Sequence, residues 1–308
     1  MATPADITLN AGFRLDRRVW IALSLLTLYI IWSTTYLGIR FAIESFPPYL
    51  MLGIRFMTAG GVLFVILRLN GRPVPTRKQW RNATLVGFIM MVCGTGSVAL
   101  AEQTVSSGLA ATLSSTAPLW AMLISMFWRY APARTEWIGV ALGIGGVLML
   151  SLEGNLQANP LGMALVLFST ISWAGGSVLS KHLDMPDGTM LNATEMLCGG
   201  AVLMVLSLLR GEHMTAAPTP TAVIALVYLI TFGSLLALSA YTYLLKTVSP
   251  TLATSYAFVN PAIALLLGAA LAGEHVSTST LLALPVILLG VAFVALKPRV
   301  VQQSDPAA

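Results

Sequence analysis

The segment VSSGLAATLSSTAP, residues 105–118, recurs in altered form as VSPTLATSYAFVNP at residues 248–261. In the register that pairs Val105 with Val248, the stretch from Thr104 to Leu123 matches the stretch from Thr247 to Leu266 at 8 of 20 positions. Both segments are rich in small and hydroxyl residues, and both end in a proline. This pattern predicts that the chain contains two copies of one structural unit.

A second pair of segments agrees with this repeat. Trp32 and Arg40 have the same spacing as Trp173 and Lys181, and the two pairs align in nearly the same register as the first match. Apolar segments resemble one another by composition, so one match alone is weak evidence. Two matches in nearly the same register favour a true duplication, and we interpret the chain as two related halves.

The composition excludes a soluble globular protein. The 308 residues include 17 Lys and Arg and 12 Asp and Glu, so charged residues make up 9% of the chain, against about 25% in an ordinary soluble domain. Hydrophobic residues make up 56%, and the mean hydropathy is +0.82. The few charges are clustered, which leaves apolar runs of about 20 residues, the length that a helix needs to cross a bilayer. We therefore predict a polytopic protein embedded in the lipid bilayer.

Ten apolar runs are long enough to span a membrane. All ten are expected to be helices, because an open strand edge would leave backbone groups unpaired in lipid. The predicted spans are residues 19–43, 49–69, 82–101, 104–128, 136–152, 161–181, 190–209, 222–245, 251–272 and 278–296. The predicted fold class is thus an all-α membrane protein with ten transmembrane helices.

The basic residues predict the orientation of these spans. With the N-terminus in the cytoplasm, 14 of the 17 Lys and Arg residues fall in segments on the cytoplasmic side. Residues 1–18 and 298–308 then form cytoplasmic tails, and the expected location is a bacterial inner membrane. Because the basic residues are spread between apolar runs, the net charge of +5 indicates orientation rather than a nucleic-acid partner.

The odd number of spans in each copy determines how the two copies are placed. Residues 19–152 hold five predicted spans and residues 161–297 hold the other five, so the second copy enters the membrane inverted. Inverted repeats are an architecture of secondary transporters, in which the substrate site lies near the midplane between the copies. An exchange of conformations between the two copies would open that site to each side in turn.

Several motifs resemble those of a known transporter family. They are IWSTTYLGIR at residues 31–40, GIRF at 53–56, ISWA at 171–174, the segment 249–261 and Gly273-Glu274. On these motifs the chain resembles the EamA-repeat branch of the drug/metabolite transporter superfamily, over about residues 20–297. The resemblance implies ten helices in two inverted EamA repeats, and export of amino acids or related small metabolites, driven by protons or downhill. It also implies a central cavity lined by spans 1, 3, 4, 6, 8 and 9.

One acidic residue of the family pattern is missing from the first copy. The glutamate usual after span 4 has no counterpart near residues 128–132, whereas Glu274 matches it in the second copy. Any role of that acid in the family is therefore not assigned to the first half of this chain.

The middle of spans 4 and 9 is predicted to contribute to the substrate site. Pro118 and Pro261 cannot donate to the carbonyl four residues earlier, so the carbonyl oxygens of Ser114 and Ala257 are expected to lack a donor. Such oxygens can bind a solute at the middle of the membrane. The alternative is a kink that only shapes packing, with nearby hydroxyls bonded to their own helix.

Aromatic residues inside the spans are the second group of cavity candidates. Trp32 and Trp173 lie in the middle of their spans, where a belt of aromatic residues at the membrane interface does not explain them. An aromatic lining for an amphipathic solute and packing between helices are both compatible with them. The complete predicted cavity set is Trp32, Tyr36, Ser114, Ser115, Thr116, Pro118, Trp173, Ser177, Tyr241, Tyr256, Asn260 and Pro261.

Charged residues inside or beside the spans are candidates for coupling or gating. Lys181 and Glu195 lie at equal distances along the chain from Gly188, so they are expected at one depth, where an ion pair is geometrically reasonable. The other candidates lie in spans 1 and 2 or at short outer turns: Arg40, Arg55, Glu44 and Glu102. A structural clamp or snorkelling side chains are the alternative interpretation.

No motif predicts an enzyme, and we expect no cofactor and no metal ion. The sequence contains no HExxH motif, phosphate-binding loop or nucleophile–base spacing. A secondary transporter that exports small metabolites, driven by protons or downhill, is therefore the main hypothesis. A passive facilitator or channel is the alternative, and it would need a continuously wet pore.

Gly139 and Gly143 form a small-residue face in span 5, which indicates close helix approach within the chain or in a homodimer.

Overall fold

A computed structural model describes residues 16–105, 107–151, 159–263 and 278–295 of the chain. Every regular element within these ranges is a helix. Most of the two predicted tails, the linker between the two copies, the second half of predicted span 9 and Glu274 lie outside the described residues.

The helices follow one another with short connections. They are α1 (Arg17–Ile43), α2 (Pro48–Leu69), α3 (Arg77–Ala101), α4 (Ser107–Ser114), α5 (Ala117–Met126), α6 (Arg134–Ser151), α7 (Pro160–Ser180), α8 (Thr189–Leu209), α9 (Pro220–Thr247), α10 (Pro250–Ala253) and α11 (Thr278–Ala295). Residues 256–263, after α10, are also helical.

Polar residues at the N-termini explain where several helices begin. The Thr76 hydroxyl accepts from the main-chain nitrogen of Gln79 at 3.2 Å, and the Gln79 side chain accepts from the nitrogen of Thr76 at 3.0 Å, which is a capping box. Asn159, Thr219 and Ser249 cap α7, α9 and α10 in the same general way, each directly before a proline. Proline suits the first helical position because its missing N–H would have had no partner there.

Six helices are long and apolar enough to cross a membrane, as judged on the described ranges: α1, α2, α3, α7, α8 and α9. They correspond to predicted spans 1, 2, 3, 6, 7 and 8. Predicted spans 4, 5, 9 and 10 fall on helices that are shorter, interrupted or only partly described. The all-helical, multi-span class is confirmed, and the count of ten spans stays a prediction.

The packing of the helices follows the internal repeat. Helix α2 packs on its counterpart α8, and α6 packs on its counterpart α11. In the repeat, α1 corresponds to α7 and α9 corresponds to α3. Helix α1 contacts α9, and α7 contacts α3 in the equivalent way. The two copies therefore interdigitate around an approximate twofold relation, instead of forming two separate bundles.

Glycines allow the closest of these helix contacts. A Cβ atom at Gly60 of α2 would lie 2.9 Å from the main-chain nitrogen of Leu197, and a Cβ atom at Gly200 of α8 would lie 2.9 Å from that of Met57. The two contacts are equivalent by the repeat, because one register pairs Met57 with Leu197 and Gly60 with Gly200. This relation fixes the register of α2 against α8.

The small-residue face predicted in span 5 is used within the chain. A Cβ atom at Gly139 would lie 2.6 Å from the Gly290 oxygen, and one at Gly290 would lie 2.7 Å from the Gly143 nitrogen, so α6 and α11 approach backbone to backbone. Between the two alternatives left open by the sequence, this face serves the intrachain contact. A homodimer stays a prediction.

Contacts between turns group at two ends of the bundle. At one end, Lys78 in the first turn of α3 forms an ion pair with Asp184 after α7 at 3.5 Å. At the other end, the Glu212 carboxylate after α8 accepts from the main-chain nitrogen of Leu50, in the first turn of α2, at 2.9 Å. Alternating spans require this grouping of turns. Which end faces the cytoplasm stays a prediction.

Predicted span 4 is interrupted rather than kinked. It is divided into α4 and α5 at Ser115 and Thr116. Pro118 lies in the first turn of α5, where its missing N–H leaves no gap in the helical hydrogen bonds. The proline therefore marks the start of a new helix and not a bend within one.

Predicted span 9 is also interrupted, but the interruption does not lie at Pro261. The break lies at Thr254 and Ser255, while Pro261 lies inside the helical residues 256–263. The Thr254 hydroxyl donates to the Pro250 carbonyl at 2.9 Å, and the Ser255 hydroxyl donates to the Leu252 carbonyl at 2.8 Å. The Pro250 oxygen also accepts from the main-chain nitrogen of Thr254, whereas the Leu252 oxygen is used by Ser255 instead of the next helical nitrogen. The predicted role of the Ala257 carbonyl oxygen, four residues before Pro261, stays a prediction.

Two π-helical segments occupy corresponding positions in the two copies. They are Phe88–Gly96 in α3 and Leu229–Leu236 in α9. The register that pairs Trp32 with Trp173 also pairs the first residues of these two segments. A π-helical turn is wider than an α-helical turn and occurs frequently at functional sites. The duplication therefore includes an irregular backbone feature as well as the helices.

Gly60→Ala is expected to lower the free energy of unfolding by about 1–3 kcal/mol, because the added methyl overpacks the contact between α2 and α8. Gly61→Ala is the matched control, since nothing lies within 4 Å of a Cβ atom at that neighbouring position. The control is expected to be neutral or stabilising by up to about 1 kcal/mol. Thermal unfolding of the purified variants in one detergent measures the difference, and equal stability of the two variants would contradict the register.

Candidate functional site

A cavity of about 100 Å³ lies between the two copies. Its wall is formed by α1, α2, α3, α4, α5, α7, α9 and the helical residues 256–263. The described lining residues are Trp32, Thr35, Tyr36, Ile39, Arg55, Phe56, Met91, Thr95, Val98, Ser114, Ala117, Ser169, Thr170, Trp173, Gly233, Ser234, Leu238, Tyr256 and Asn260. The resemblance implied lining by spans 1, 3, 4, 6, 8 and 9, and the wall contains these spans together with α2.

Both irregular backbone regions of α3 and α9 contribute to this wall. Met91 and Thr95 belong to the π-helical segment of α3, and Gly233 and Ser234 belong to that of α9. The ends of α4 and α5 at the interruption of span 4 also reach the cavity, through Ser114 and Ala117. Non-helical or widened backbone at membrane depth is tolerated where it lines a cavity or is buried in protein.

Four aromatic side chains form a contiguous cluster centred on Trp32. The ring centroid of Trp32 lies 5.5 Å from that of Trp173, 5.1 Å from that of Tyr241 and 4.6 Å from that of Tyr256. The pairs with Trp173 and Tyr256 have edge-to-face geometry, which aromatic rings favour over a face-to-face sandwich. Three of these rings line the cavity, whereas Tyr241 is fully buried behind them. The cluster provides one rigid apolar wall.

Hydrogen bonds between the two copies hold this wall in place. The indole nitrogen of Trp32 donates to the Gly233 carbonyl in the π-helical segment of α9 at 3.2 Å. The Ser33 hydroxyl donates to the side-chain oxygen of Asn260 at 2.9 Å. Tyr29 and Ser255 share a hydrogen bond of 3.0 Å between their hydroxyls. Helix α1 of the first copy is thereby tied to α9 and to residues 255–260 of the second.

Arg55 is the one charged residue among the described lining residues. It is buried, with 5% of its surface exposed, and its Nε donates to the Ser234 hydroxyl at 2.8 Å. The guanidinium carbon lies 5.0 Å from the centroid of the Phe56 ring, a cation–π distance. The cavity therefore combines one cation, several hydroxyls, one amide and an aromatic wall.

The predicted cavity residues divide into two groups. Those on the cavity wall are Trp32, Tyr36, Ser114, Trp173, Tyr256 and Asn260. Those away from the wall are Ser115, Thr116, Pro118, Ser177, Tyr241 and Pro261. Ser177 and Tyr241 support the wall from behind, because the Tyr241 hydroxyl donates to Ser177 at 2.7 Å. Binding of a substrate by the first group stays a prediction.

The predicted ion pair between Lys181 and Glu195 is absent from this structure. Among the described residues, the ion pair present is that of Lys78 with Asp184. Lys181 is exposed at the C-terminal end of α7, whereas Glu195 is buried in α8 with no partner for its Oε1 atom. An equal distance along the chain from a turn does not give equal burial, because α8 begins directly at Thr189 while α7 ends at Ser180, before an irregular connection.

The other candidate charges, near the turn between α1 and α2, lie in different surroundings. Arg40, in the last turn of α1, donates to the main-chain oxygen of Glu102 at the end of α3. Both carboxylate oxygens of Glu102 are buried without a hydrogen-bond partner. Glu44 is exposed just after α1. Arg40 and Glu102 are therefore neighbours, while Arg55 lies on the cavity wall.

Sequence reasoning did not identify several lining residues. Thr35, Ser169, Thr170 and Ser234 are hydroxyl residues inside apolar helices, where such residues are common and bond to their own backbone. Thr35 and Thr170 lie one helical turn from Trp32 and Trp173, so a helical-face argument from the two tryptophans would have found them. The position of Ser234 depends on the π-helical segment, for which glycines in an apolar run were the available signal.

The chain is similar in sequence and in fold to known proteins. Residues 19–152 and 160–296 each match the model of the EamA-like transporter family. The uncharacterized inner membrane transporter YedA of Escherichia coli strain K12 is 45% identical over 274 residues, which cover 89% of this chain and 90% of that protein. Protein PecM of Dickeya dadantii is 32% identical over 249 residues, covering 77% and 80%. A crystal structure of 19% identity superposes with a TM-score of 0.75, covering 91% of this chain and 97% of that one.

The hydrogen bond behind the aromatic wall provides a test of the site's construction. Ser177→Ala is expected to lower the free energy of unfolding by about 1–3 kcal/mol, because the buried Tyr241 hydroxyl loses its acceptor. Tyr241→Phe leaves Ser177 bonded to the Trp173 carbonyl at 2.7 Å, so a smaller loss of about 1 kcal/mol is expected. The double variant should be no less stable than Ser177→Ala alone. Thermal or SDS unfolding of the wild type, the two single variants and the double variant gives the coupling free energy between Ser177 and Tyr241. Stability losses that simply add up would contradict the hydrogen bond.

Proposed function

The chain belongs to the EamA-like transporter family, and from this premise we propose that it is a secondary transporter that exports small metabolites by alternating access. The family resemblance inferred from the motifs is thereby confirmed. The proposed substrates are amino acids or related amphipathic compounds. The proposed location is a bacterial inner membrane, which the name of the YedA relative supports, with both termini in the cytoplasm.

The cavity between the two copies is the observation that carries this proposal. A site at the interface of two inverted repeats can be opened to either side when the copies exchange conformations. The wall contains residues from both copies, including Trp32 from the first and Tyr256 from the second. Its aromatic side chains suit the apolar part of a solute, and its hydroxyl and amide groups suit the polar part.

The repeat relation supports two alternative states of the transporter. The register that pairs Gly60 of α2 with Gly200 of α8 also pairs Arg55 with Glu195. Inverted copies place related residues at mirrored depths, so these two buried charges belong to opposite halves of the membrane. Arg55 lies on the cavity wall in the present state. In the proposed second state, exchange of the two conformations would bring Glu195 to the wall.

Glu195 is the proposed proton-coupling residue. Only 3% of its surface is exposed, and its Oε1 atom has no hydrogen-bond partner. The titratable groups close enough to interact electrostatically with Glu195 are Lys246 and Tyr241 on α9 and Cys198 on α8. A buried carboxyl group with no ion-pair partner is suited to bind a proton in one state and release it in the other.

Reconstitution into proteoliposomes tests the transport proposal. Labelled amino acids and small metabolites are offered with and without a pH gradient, at both signs of the gradient. Saturable uptake that is accelerated by the gradient is expected for coupled alternating access. Saturable uptake that is indifferent to the gradient indicates the alternative, a passive facilitator, and single-channel currents without saturation indicate a channel. Absence of uptake for every compound would contradict the proposal.

Glu195→Gln is expected to lower gradient-driven transport by about tenfold or more, because a carboxamide cannot bind and release the coupled proton. Downhill exchange of the same solute should persist, since it needs no net proton movement. Asp187→Asn is the control, because Asp187 is exposed in the turn before α8 and is not a coupling candidate. An unchanged rate and an unchanged response to pH in Glu195→Gln would assign Glu195 to a structural role.

A further inference from the structure

We propose that Arg55 binds the carboxylate group of the transported solute, so that the cavity selects organic acids and zwitterions over amines of the same shape. The inference rests on the proposed transport function and specifies the chemical class of its substrate. It concerns the conformational state in which the Arg55 side chain lies on the cavity wall.

The hydrogen bonds of Arg55 leave part of the guanidinium unused. Its Nε atom is occupied by the Ser234 hydroxyl, at 2.8 Å. Its Nη1 atom is buried and has no hydrogen-bond partner. No carboxylate of the described residues lies within ion-pair distance of it. Because arginine remains protonated in proteins, the position holds a buried cation that the described residues do not neutralise.

The location of Arg55 excludes two common roles of arginine in a membrane helix. A snorkelling arginine reaches water or lipid head groups with its charged end, whereas Arg55 is 5% exposed and its Nη1 atom is shielded from solvent. A structural clamp needs an acidic partner, and none is present among the described residues. An unpaired buried charge is costly, and an anionic ligand in the adjoining cavity is the partner that removes this cost.

Asn260 provides a second unused donor on the same cavity wall. Its side-chain oxygen lies 2.9 Å from the Ser33 hydroxyl, which also contacts the Tyr29 carbonyl. Its Nδ2 atom is buried and has no hydrogen-bond partner. A carboxylate has two acceptor oxygens and no donor, so it matches unused donors on Arg55 and Asn260. Both donor atoms are shielded in this state, so the proposed contact requires the two side chains to turn toward the cavity that their residues line.

The rest of the cavity determines what the carboxylate is attached to. The described wall contains no acidic residue that would pair with an isolated ammonium group. Its aromatic side chains Trp32, Trp173 and Tyr256, together with Phe56, present apolar surface. The geometry thus suits a compact apolar body joined to a carboxylate, with or without a neutralising amine on the same molecule.

Matched ligand series distinguish a carboxylate site from a general amphipathic site. Each series shares one apolar body, that of leucine, methionine or phenylalanine. It consists of the amino acid, its amide, the acid without the amino group and the amine without the carboxyl group. Binding to the purified protein is measured by thermal shift, and transport is measured by counterflow in proteoliposomes.

In the wild type, the two carboxylate-bearing members of at least one series should bind about tenfold or more tightly than the amide and the amine. Arg55→Gln should remove this preference. Arg68→Gln, an exposed arginine of the same helix, should retain it. If Arg55→Gln does not fold, Arg55→Lys keeps the charge and is expected to keep a weaker preference, because the ammonium cannot form the planar paired contact. Ser234→Ala should weaken carboxylate binding several-fold by releasing Nε.

The two readouts separate failure of this inference from failure of the proposed function. Carboxylate-selective binding without transport supports the role of Arg55 and contradicts the transport proposal. Transport with equal acceptance of amides, amines and acids supports the transport proposal and overturns the role of Arg55. A preference for carboxylates that survives in Arg55→Gln, or an absence of binding in every series, also overturns it.

Discussion

Peptide groups inside a bilayer have no water to bond with, so each N–H and C=O needs a partner within the protein. This constraint explains why the described residues form helices and why interruptions are confined to particular places. At the break in span 4, the Thr116 hydroxyl donates to the Leu113 carbonyl at 2.9 Å, and Ser255 does the same for Leu252 at the break in span 9. Both breaks adjoin the cavity, as do the two π-helical segments, so irregular backbone occurs where protein surrounds it.

The same lack of water gives the few buried charges their significance. Arg55 and Glu195 are related by the repeat, differ in sign and have no ion-pair partner among the described residues. A chain that needed these residues only for folding would gain from pairing or replacing them. Under the proposed transport mechanism, such a pair would present one electrostatic environment at a time to a solute. The Arg40 and Glu102 neighbours at the end of the bundle lack this relation to the cavity.

The long helices follow from regular apolar periodicity and could be predicted from the sequence. The helix breaks and the π-helical segments depend on local hydrogen bonding and packing, and they could not be predicted. Apolar runs and the repeat register predicted the long helices. The mid-span positions of Trp32, Trp173 and Asn260 led to the prediction that they line the cavity, and they do. The π-helical segments have no proline to mark them. At the break after α10, the Ser255 hydroxyl and nitrogen both use the Leu252 carbonyl, and Glu195 is buried inside α8 while Lys181 lies beyond the end of α7. These features follow from packing, which a linear pattern does not contain.

The backbone contact between α2 and α8 also has an evolutionary consequence. Gly60 and Gly200 each face the partner helix, so a larger residue in one copy would require a compensating change in the other. The contact therefore limits which substitutions each copy can accept independently of the other. The difference in charge between Arg55 and Glu195 lies on the same two helices that this contact holds in register.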